Sequence, residues 1–558
     1  MHSLRHNTHE MPASGLRHNR RRIGSAAVVA AWLLAAPSSQ AQEPAAPGGG
    51  APAAPAPSRP AGESGVSNFV DSLIPGFQFD AGVNLSETYA TNAGGNAATA
   101  RPDYITLLSL NAGMHEHSRR FSLDANYAGT VNYFAQNVQP TQFTNNLDAV
   151  ADVLAIPDYL TFIGKAFAQP VVISNVGAVT ANGSVTPGGF RNGYGYSAGP
   201  DLTFRLADFA TSDTNLSYGA AYFTNPAGTR NVPAIPGIGG PQDTQTRSAT
   251  EKLASGTDFS RLTWSLVGVF SETARPQSLL SEKAGVGTLR YAVSREISLL
   301  GTGGYDAISN SLSLTRNVSG PVAMGGIALT FGEDLQMEFQ AGQKYNSASY
   351  LGTLRWNISP TAVVSGSATD SIQTPESQLL NSLTDLTATT NGTLTNSGDI
   401  YANGSSSSLA TFNAQPLGSS YNQVIARYQR VNLSFADDFE RDHFNVTAFG
   451  SRETQLSGFF LGPAVVNSYG GQATYSHDIT RLLSGSVGAG YNSYEELGGH
   501  ASTITVNGQL AYSLSPDTRV YFRTDYVDRQ SSSTLQALSP FTGSLSDLRI
   551  TLGLSHTL

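Results

Sequence analysis

The sequence predicts an all-β fold: a transmembrane antiparallel up-and-down β-barrel of about 22 strands, within a range of 18–22, with no plug domain. Three observations predict it. Apolar and polar residues alternate with period two over residues 77–558. The connections between the alternating segments are short and long by turns. Past residue 41 no stretch is apolar for the roughly 20 residues a spanning helix needs, so any membrane crossing falls to strands.

Composition agrees. Only 13% of the 558 residues are charged, against about 25% in a soluble globular chain. Hydrophobic content of 40% is too high for a chain disordered throughout. The 57 glycines suit a turn-rich β protein. There is no cysteine, which excludes thiolate nucleophiles and Cys-ligated metals and fits an oxidising compartment without a disulfide framework.

Residues 1–41 read as a cleaved export signal. Arg17, Arg20, Arg21 and Arg22 form a basic n-region, 26–36 (AAVVAAWLLAA) is an apolar h-region, and Ser39-Gln40-Ala41 is a small-residue cleavage site. The alternative is an uncleaved membrane anchor, for which the apolar run is short. These residues hold five arginines and one glutamate, so the chain's net charge of −9 becomes −13 without them. That acidic balance argues against a nucleic-acid partner. Residues 42–76, rich in Pro, Ala and Gly, read as a periplasmic linker, or equally as a plain disordered tail. They leave no room for a folded plug.

The barrel is expected over 77–558. Phe79, Ala81, Val83 and Leu85 alternate with Asp80, Gly82, Asn84 and Ser86. Leu123, Ala125 and Tyr127 alternate with Asp124, Asn126 and Ala128. Val520, Phe522 and Thr524 alternate with Arg519, Tyr521 and Arg523. Successive strand side chains point to opposite faces, so each segment has one apolar and one polar face. Ten short connections fall near Arg119, Pro157, Asp208, Asp258, Arg295, Glu333, Pro360, Asp438, Asp478 and Pro516. Long ones fall at 175–189, 224–244, 310–321, 375–420 and 531–544. Short turns on one side and long loops on the other are the hairpin asymmetry of outer-membrane barrels, with both termini on the short-turn side. A secreted β-sandwich array or β-helix also alternates, but neither calls for this loop rhythm.

The final segment, 545–558, carries Leu548, Ile550, Leu552 and Leu554 on one face and Arg549, Thr551, Gly553 and Ser555 on the other. A last strand with one apolar face leaves a reactive edge unless the sheet closes, and the segment from residue 77 is its expected partner. Thr551, Gly553, His556 and Leu558 resemble the C-terminal assembly signal of bacterial outer-membrane barrels, which implies recognition by the barrel assembly machinery. His556 stands where that signal has an apolar or aromatic residue, and Leu558 where it prefers an aromatic. The segments 81–92 (AGVNLSETYATN) and 120–134 (RFSLDANYAGTVNYF) resemble the opening of a β-barrel porin family that accompanies exopolysaccharide gene clusters. The resemblance extends over 77–558 and implies an outer-membrane channel or an accessory of polysaccharide export, with periplasmic export components as partners.

No catalytic constellation is assigned: there is no HExxH and no P-loop, and no enzyme and no cofactor is expected. His115-Glu116-His117 has metal-ligand residue types, but beside a short turn it reads as solvated turn residues rather than a metal site. With the apolar face in outer-membrane lipid, the lumen-lining candidates are Asp80, Asp124, Arg290, Glu338, Lys344, Arg355, Arg519, Arg523, Asp525 and Arg529. Such charges imply water or paired partners inside. Phe134 and Tyr521 are placed to stack on sugar rings, and Trp356 reads as a girdle aromatic. The loop 375–420 either folds inward as a constriction or stays outside. The expected function is a Gram-negative outer-membrane channel for polar solutes. Rival readings are a non-conducting surface-interaction barrel and an outer-membrane lipid-modifying enzyme.

Overall fold

The computed structural model describes residues 78–94, 100–172, 190–224, 243–276, 279–311, 318–373, 387–388, 394–395, 426–456, 465–496, 499–532 and 544–558. The expected signal at 1–41, the expected linker at 42–76 and most of the 375–420 loop lie outside the described residues. In chain order the strands are β1 (Gln78–Ala90), β2 (Asp103–His117), β3 (Phe121–Phe134), β4 (Gln142–Ile156), β5 (Leu160–Val172), β6 (Phe190–Leu206), β7 (Ala210–Thr224) and β8 (Thr244–Ser255). There follow β9 (Leu262–Ala274), β10 (Leu279–Ala292), β11 (Ile297–Asn310), β12 (Val318–Phe331), β13 (Leu335–Lys344), β14 (Ser347–Asn357) and β15 (Ala362–Gln373). Two-residue strands β16 (Thr387–Ala388) and β17 (Leu394–Thr395) pair only with each other. The chain ends with β18 (Ala426–Phe439), β19 (Asp442–Gln455), β20 (Val465–Asp478), β21 (Leu483–Glu496), β22 (Gly499–Ser513), β23 (Thr518–Ser531) and β24 (Leu545–Thr557).

All but β16 and β17 belong to one 22-stranded antiparallel sheet. Each strand pairs with the next in sequence, β15 pairs with β18, and β24 returns to β1. The closing register runs from Gly82↔Thr557 to Ala90↔Arg549. Inside it the Thr88 and Thr551 hydroxyls hydrogen-bond at 2.8 Å, and Leu558 N donates to Ala81 O at 2.8 Å. The sheet therefore has no free edge, as a lipid-embedded sheet requires.

The period-two pattern becomes two surfaces. Leu548, Ile550, Leu552 and Leu554 are exposed, Leu552 at 60%, while Asp547, Arg549 and Thr551 on the opposite face are buried. The registers carry this alternation around the wall, so the exposed apolar side chains form a continuous outer face that sits in lipid. Aromatic contacts mark both rims of that band. Toward the short turns Phe209, Phe259 and Trp264 pack with ring centroids 5.5–5.9 Å apart, and Phe435 meets Phe444 at 6.0 Å. Trp356 is exposed at the same end. Toward the long loops Tyr89 meets Tyr104 at 5.3 Å and Tyr469 meets Tyr491 at 6.5 Å. Amphipathic rings favour these two interfaces. The outer face also holds carboxylates, each met by hydroxyls of an adjacent strand: Thr106 Oγ1 donates to Glu87 at 2.7 Å, and Ser212 and Thr214 donate to Glu251.

The ten short turns fall where the sequence placed them. Backbone in the left-handed region closes several: Asp158 (φ 66°) after Pro157, Ala207 (φ 50°), Gly332 (φ 60°) and Glu440 (φ 45°). The opposite side is less uniformly long than the pattern suggested. The β13–β14 connection is only Tyr345-Asn346, with φ of 51° and 58°. Two consecutive left-handed residues give the two-residue hairpin that matches strand twist. The β21–β22 connection is equally short, at residues 497–498. The first hid inside continuous alternation, because Tyr345 gives no turn signal, whereas Gly498-Gly499 marked the second in the sequence.

Candidate functional site

All ten charged residues singled out from the sequence lie on the inner face, opposite the lipid-facing hydrophobics. Parity and register place them: Asp80 on β1, Asp124 on β3, Arg290 on β10, Glu338 and Lys344 on β13, Arg355 on β14, and Arg519, Arg523, Asp525 and Arg529 on β23. The barrel brings some together across strands. Arg290 Nη1 stands 3.7 Å from Glu338 Oε2, though two strands separate them. Lys344 Nζ stands 3.6 Å from Asp306. Arg523 Nε donates to Asp525 Oδ1 at 2.8 Å, an i,i+2 pair on one strand face. Asp80, Arg355 and Arg519 stay exposed near the short-turn mouth.

The inner face changes character along its length. On β23 Arg519 is exposed and Arg523 half-buried, but Asp525 is 1% and Arg529 4% exposed. On β24, at the same level, Asp547 is fully buried and Arg549 is 2% exposed. The short-turn half is thus a water-reachable vestibule, and the long-loop half is a buried polar wall. Burying such groups is costly unless they are paired, and Asp525 and Asp547 each hold an arginine. Asp547 accepts from Arg549 Nε at 2.6 Å, from Asn92 N at 2.9 Å and from Thr91 Oγ1 at 3.3 Å. The Thr91 and Asn92 bonds tie the β1–β2 connection to β24.

Several inner residues differ from expectation. His115 is buried rather than solvated: its Nδ1 lies 3.0 Å from Asp124 Oδ1, and His117 Nε2 lies 3.4 Å from the same oxygen. Phe134 is not a stacking platform; it is 2% exposed and packs with Ala90, Ala93 and Ile105 at the long-loop rim. Tyr521 lies flat over Gly553, its register partner, and donates to Asn84 Oδ1 at 3.1 Å. A Cβ on Gly553 would stand 2.2 Å from the Tyr521 ring, so this glycine of the C-terminal signal is needed sterically within the fold.

A cluster the sequence reading missed lies where β14 and β15 part. Their ladder runs only from Asn357↔Val363 to Gly352↔Ala368. Beyond it Arg427 donates to both Asp370 oxygens, to Ser347 Oγ and to Ala348 O, and Gln429 Nε2 donates to Ala348 O at 3.2 Å. These side chains satisfy backbone and hydroxyl groups that a continued ladder would have met. In the adjacent hairpin turn Tyr345 donates to Asp306, and burial together with that carboxylate pushes its phenol well above the usual range, so it stays a donor. Asp370 and Arg427 share the parity of lipid-facing residues, so alternation alone hid them. Asp547 and Arg549 did have the lumen parity, and that signal was available.

No family model matches the chain, and no curated protein matches it. Solved structures similar to it are outer-membrane proteins. OccK8 (OprE) of Pseudomonas aeruginosa matches at 10% identity and a TM-score of 0.32, over 86% of this chain and 98% of that one. The siderophore receptor PirA of Acinetobacter baumannii matches at 9% identity and 0.43, over 86% and 80%. A loop-deletion form of OmpT of Vibrio cholerae matches at 7% identity and 0.29, over 87% and 100%. The assignment of this chain as a closed outer-membrane-type β-barrel rests on its own strand register and apolar exterior.

Proposed function

We propose that this barrel is an outer-membrane channel for polar solutes, delivered across the inner membrane by the cleaved signal at 1–41 and inserted through the barrel assembly machinery. The observation that carries the reading is the vestibule. Arg519, Arg355 and Asp80 are exposed, and the Arg290–Glu338 pair has side chains 41% and 39% exposed, on the inside of a 22-stranded barrel. Charges kept in contact with water inside a barrel this wide fit an aqueous interior. Hairpin asymmetry puts the vestibule on the periplasmic side. The channel performs no reaction and needs no cofactor. An accessory role in exopolysaccharide export is the finer form of this proposal, and it rests on the resemblance of residues 81–92 and 120–134.

One observation favours the rival, a barrel shut at rest. Thr130, Asp547 and Arg549 in the long-loop half are buried to 0–2%. Single-channel recording in planar bilayers separates the two. The channel reading expects discrete conductance steps from the full-length protein. Their absence, both for that protein and for one lacking residues 375–420, would overturn it.

A further inference from the structure

Charge on the inner wall is segregated by sector. The inner faces of β3 to β7 carry Asp124, Asp148, Asp152, Asp201 and Asp213, against Lys165, Arg205 and, by register, Arg191. Across the closing seam the picture reverses. β23 and β24 carry Arg519, Arg523, Arg529 and Arg549 against Asp525 and Asp547. Both of those aspartates are buried and each holds an arginine beside it: Asp525 the Arg523 guanidinium, Asp547 that of Arg549. Arg529 and Arg549 are buried as well, so the accessible positive charge of this sector is that of Arg519 and Arg523 at the short-turn end. Next to this track the inner faces of β20–β22 carry, between their ends and among the described residues, hydroxyls and amides with no charged side chain: Ser468, Gln472, Asn492, Thr505, Asn507 and Gln509.

We propose that the β20–β24 sector is a binding track for a linear polyanion, entered from the short-turn mouth at Arg519. Arg519 and Arg523 lie four residues apart on one strand face, roughly 13 Å. One small anion cannot bridge that gap, but successive carboxylates or phosphates of a chain can. Guanidinium groups suit either, because their fork of donors matches planar and tetrahedral oxyanions alike. The hydroxyl and amide wall of β20–β22 hydrogen-bonds the uncharged parts of such a chain, and the aspartates of β3–β7 repel it from the rest of the lumen. The inference deepens the channel reading by naming its solute class, but binding is measurable without conduction.

Calorimetric titration of the folded full-length protein in detergent tests it, with linear polyphosphate and an oligogalacturonate as polyanions and maltoheptaose as the neutral chain. Both polyanions are expected to bind and maltoheptaose not to. Arg519→Glu should weaken polyanion binding by about tenfold or more, while Lys252→Glu, the same charge change at an exposed residue on β8, leaves it within about twofold. Binding of only one polyanion would confine the track to that oxyanion. Absence of binding by both, equal binding of maltoheptaose, or equal loss in the two variants would overturn the proposal. Binding without conductance would instead remove the channel reading and leave the track.

Discussion

Two ion pairs on this barrel wall show how differently the same chemistry is used at its two ends. Arg290 and Glu338, in the short-turn half, lie 3.7 Å apart with both side chains about two-fifths exposed. Arg427 and Asp370, in the long-loop half, are in close bidentate contact with side chains 10% and 0% exposed. The first pair is screened by water and contributes little; the second fills a gap between strands and supports backbone groups besides. A charge on this wall therefore reports water at one end and architecture at the other.

That contrast can be broken most forcefully at its buried end. Asp370→Ala leaves Arg427 buried without its carboxylate and should cost about 3–5 kcal/mol, read as a lower urea midpoint for unfolding from detergent or lipid. Gly553→Val drives a side chain into the Tyr521 ring and should cost about 1–3 kcal/mol. Tyr521→Ser in the same chain should recover part of that loss. Removing one hydroxyl at the closing seam, Thr551→Val, strands the buried Thr88 oxygen and should cost about 1 kcal/mol, with the folded band in an unheated gel lost at lower temperature than in wild type. Glu338→Ala should move the midpoint least, by about 0–1 kcal/mol. Equal losses for Asp370→Ala and Glu338→Ala would dissolve the distinction between the two ends.

Much of this fold was legible in the sequence, because alternation is a direct image of a wall with lipid on one side. Every short turn was readable, since Pro157, Gly332 and the Asp and Ser residues around them announce turn geometry. The tight Tyr345-Asn346 hairpin was not, because a tyrosine in the left-handed region gives no local signal. For the site, parity assigns the ten charges to one face but carries no information on depth. Arg519 and Arg529 look alike in sequence, yet only the cross-strand packing of the closed sheet separates an exposed residue from a buried one. Parity failed outright at Asp370 and Arg427, where the β14–β15 ladder ends and side chains no longer follow the pleat.

The inner wall at β23 and β24 is wet at the short-turn mouth and packed away from water further up. Thiol labelling tests it directly, and the chain's lack of cysteine makes each introduced thiol the only one present. Arg519→Cys and Thr551→Cys, on adjacent strands of the inner face, are to be treated with a charged, membrane-impermeant methanethiosulfonate in intact proteoliposomes. The account predicts rapid modification at position 519 and at least about tenfold slower modification at 551. Equal rates at the two positions would show no buried wall beside Thr551, and protection at both would show no vestibule at all; either result contradicts this division of the inner wall.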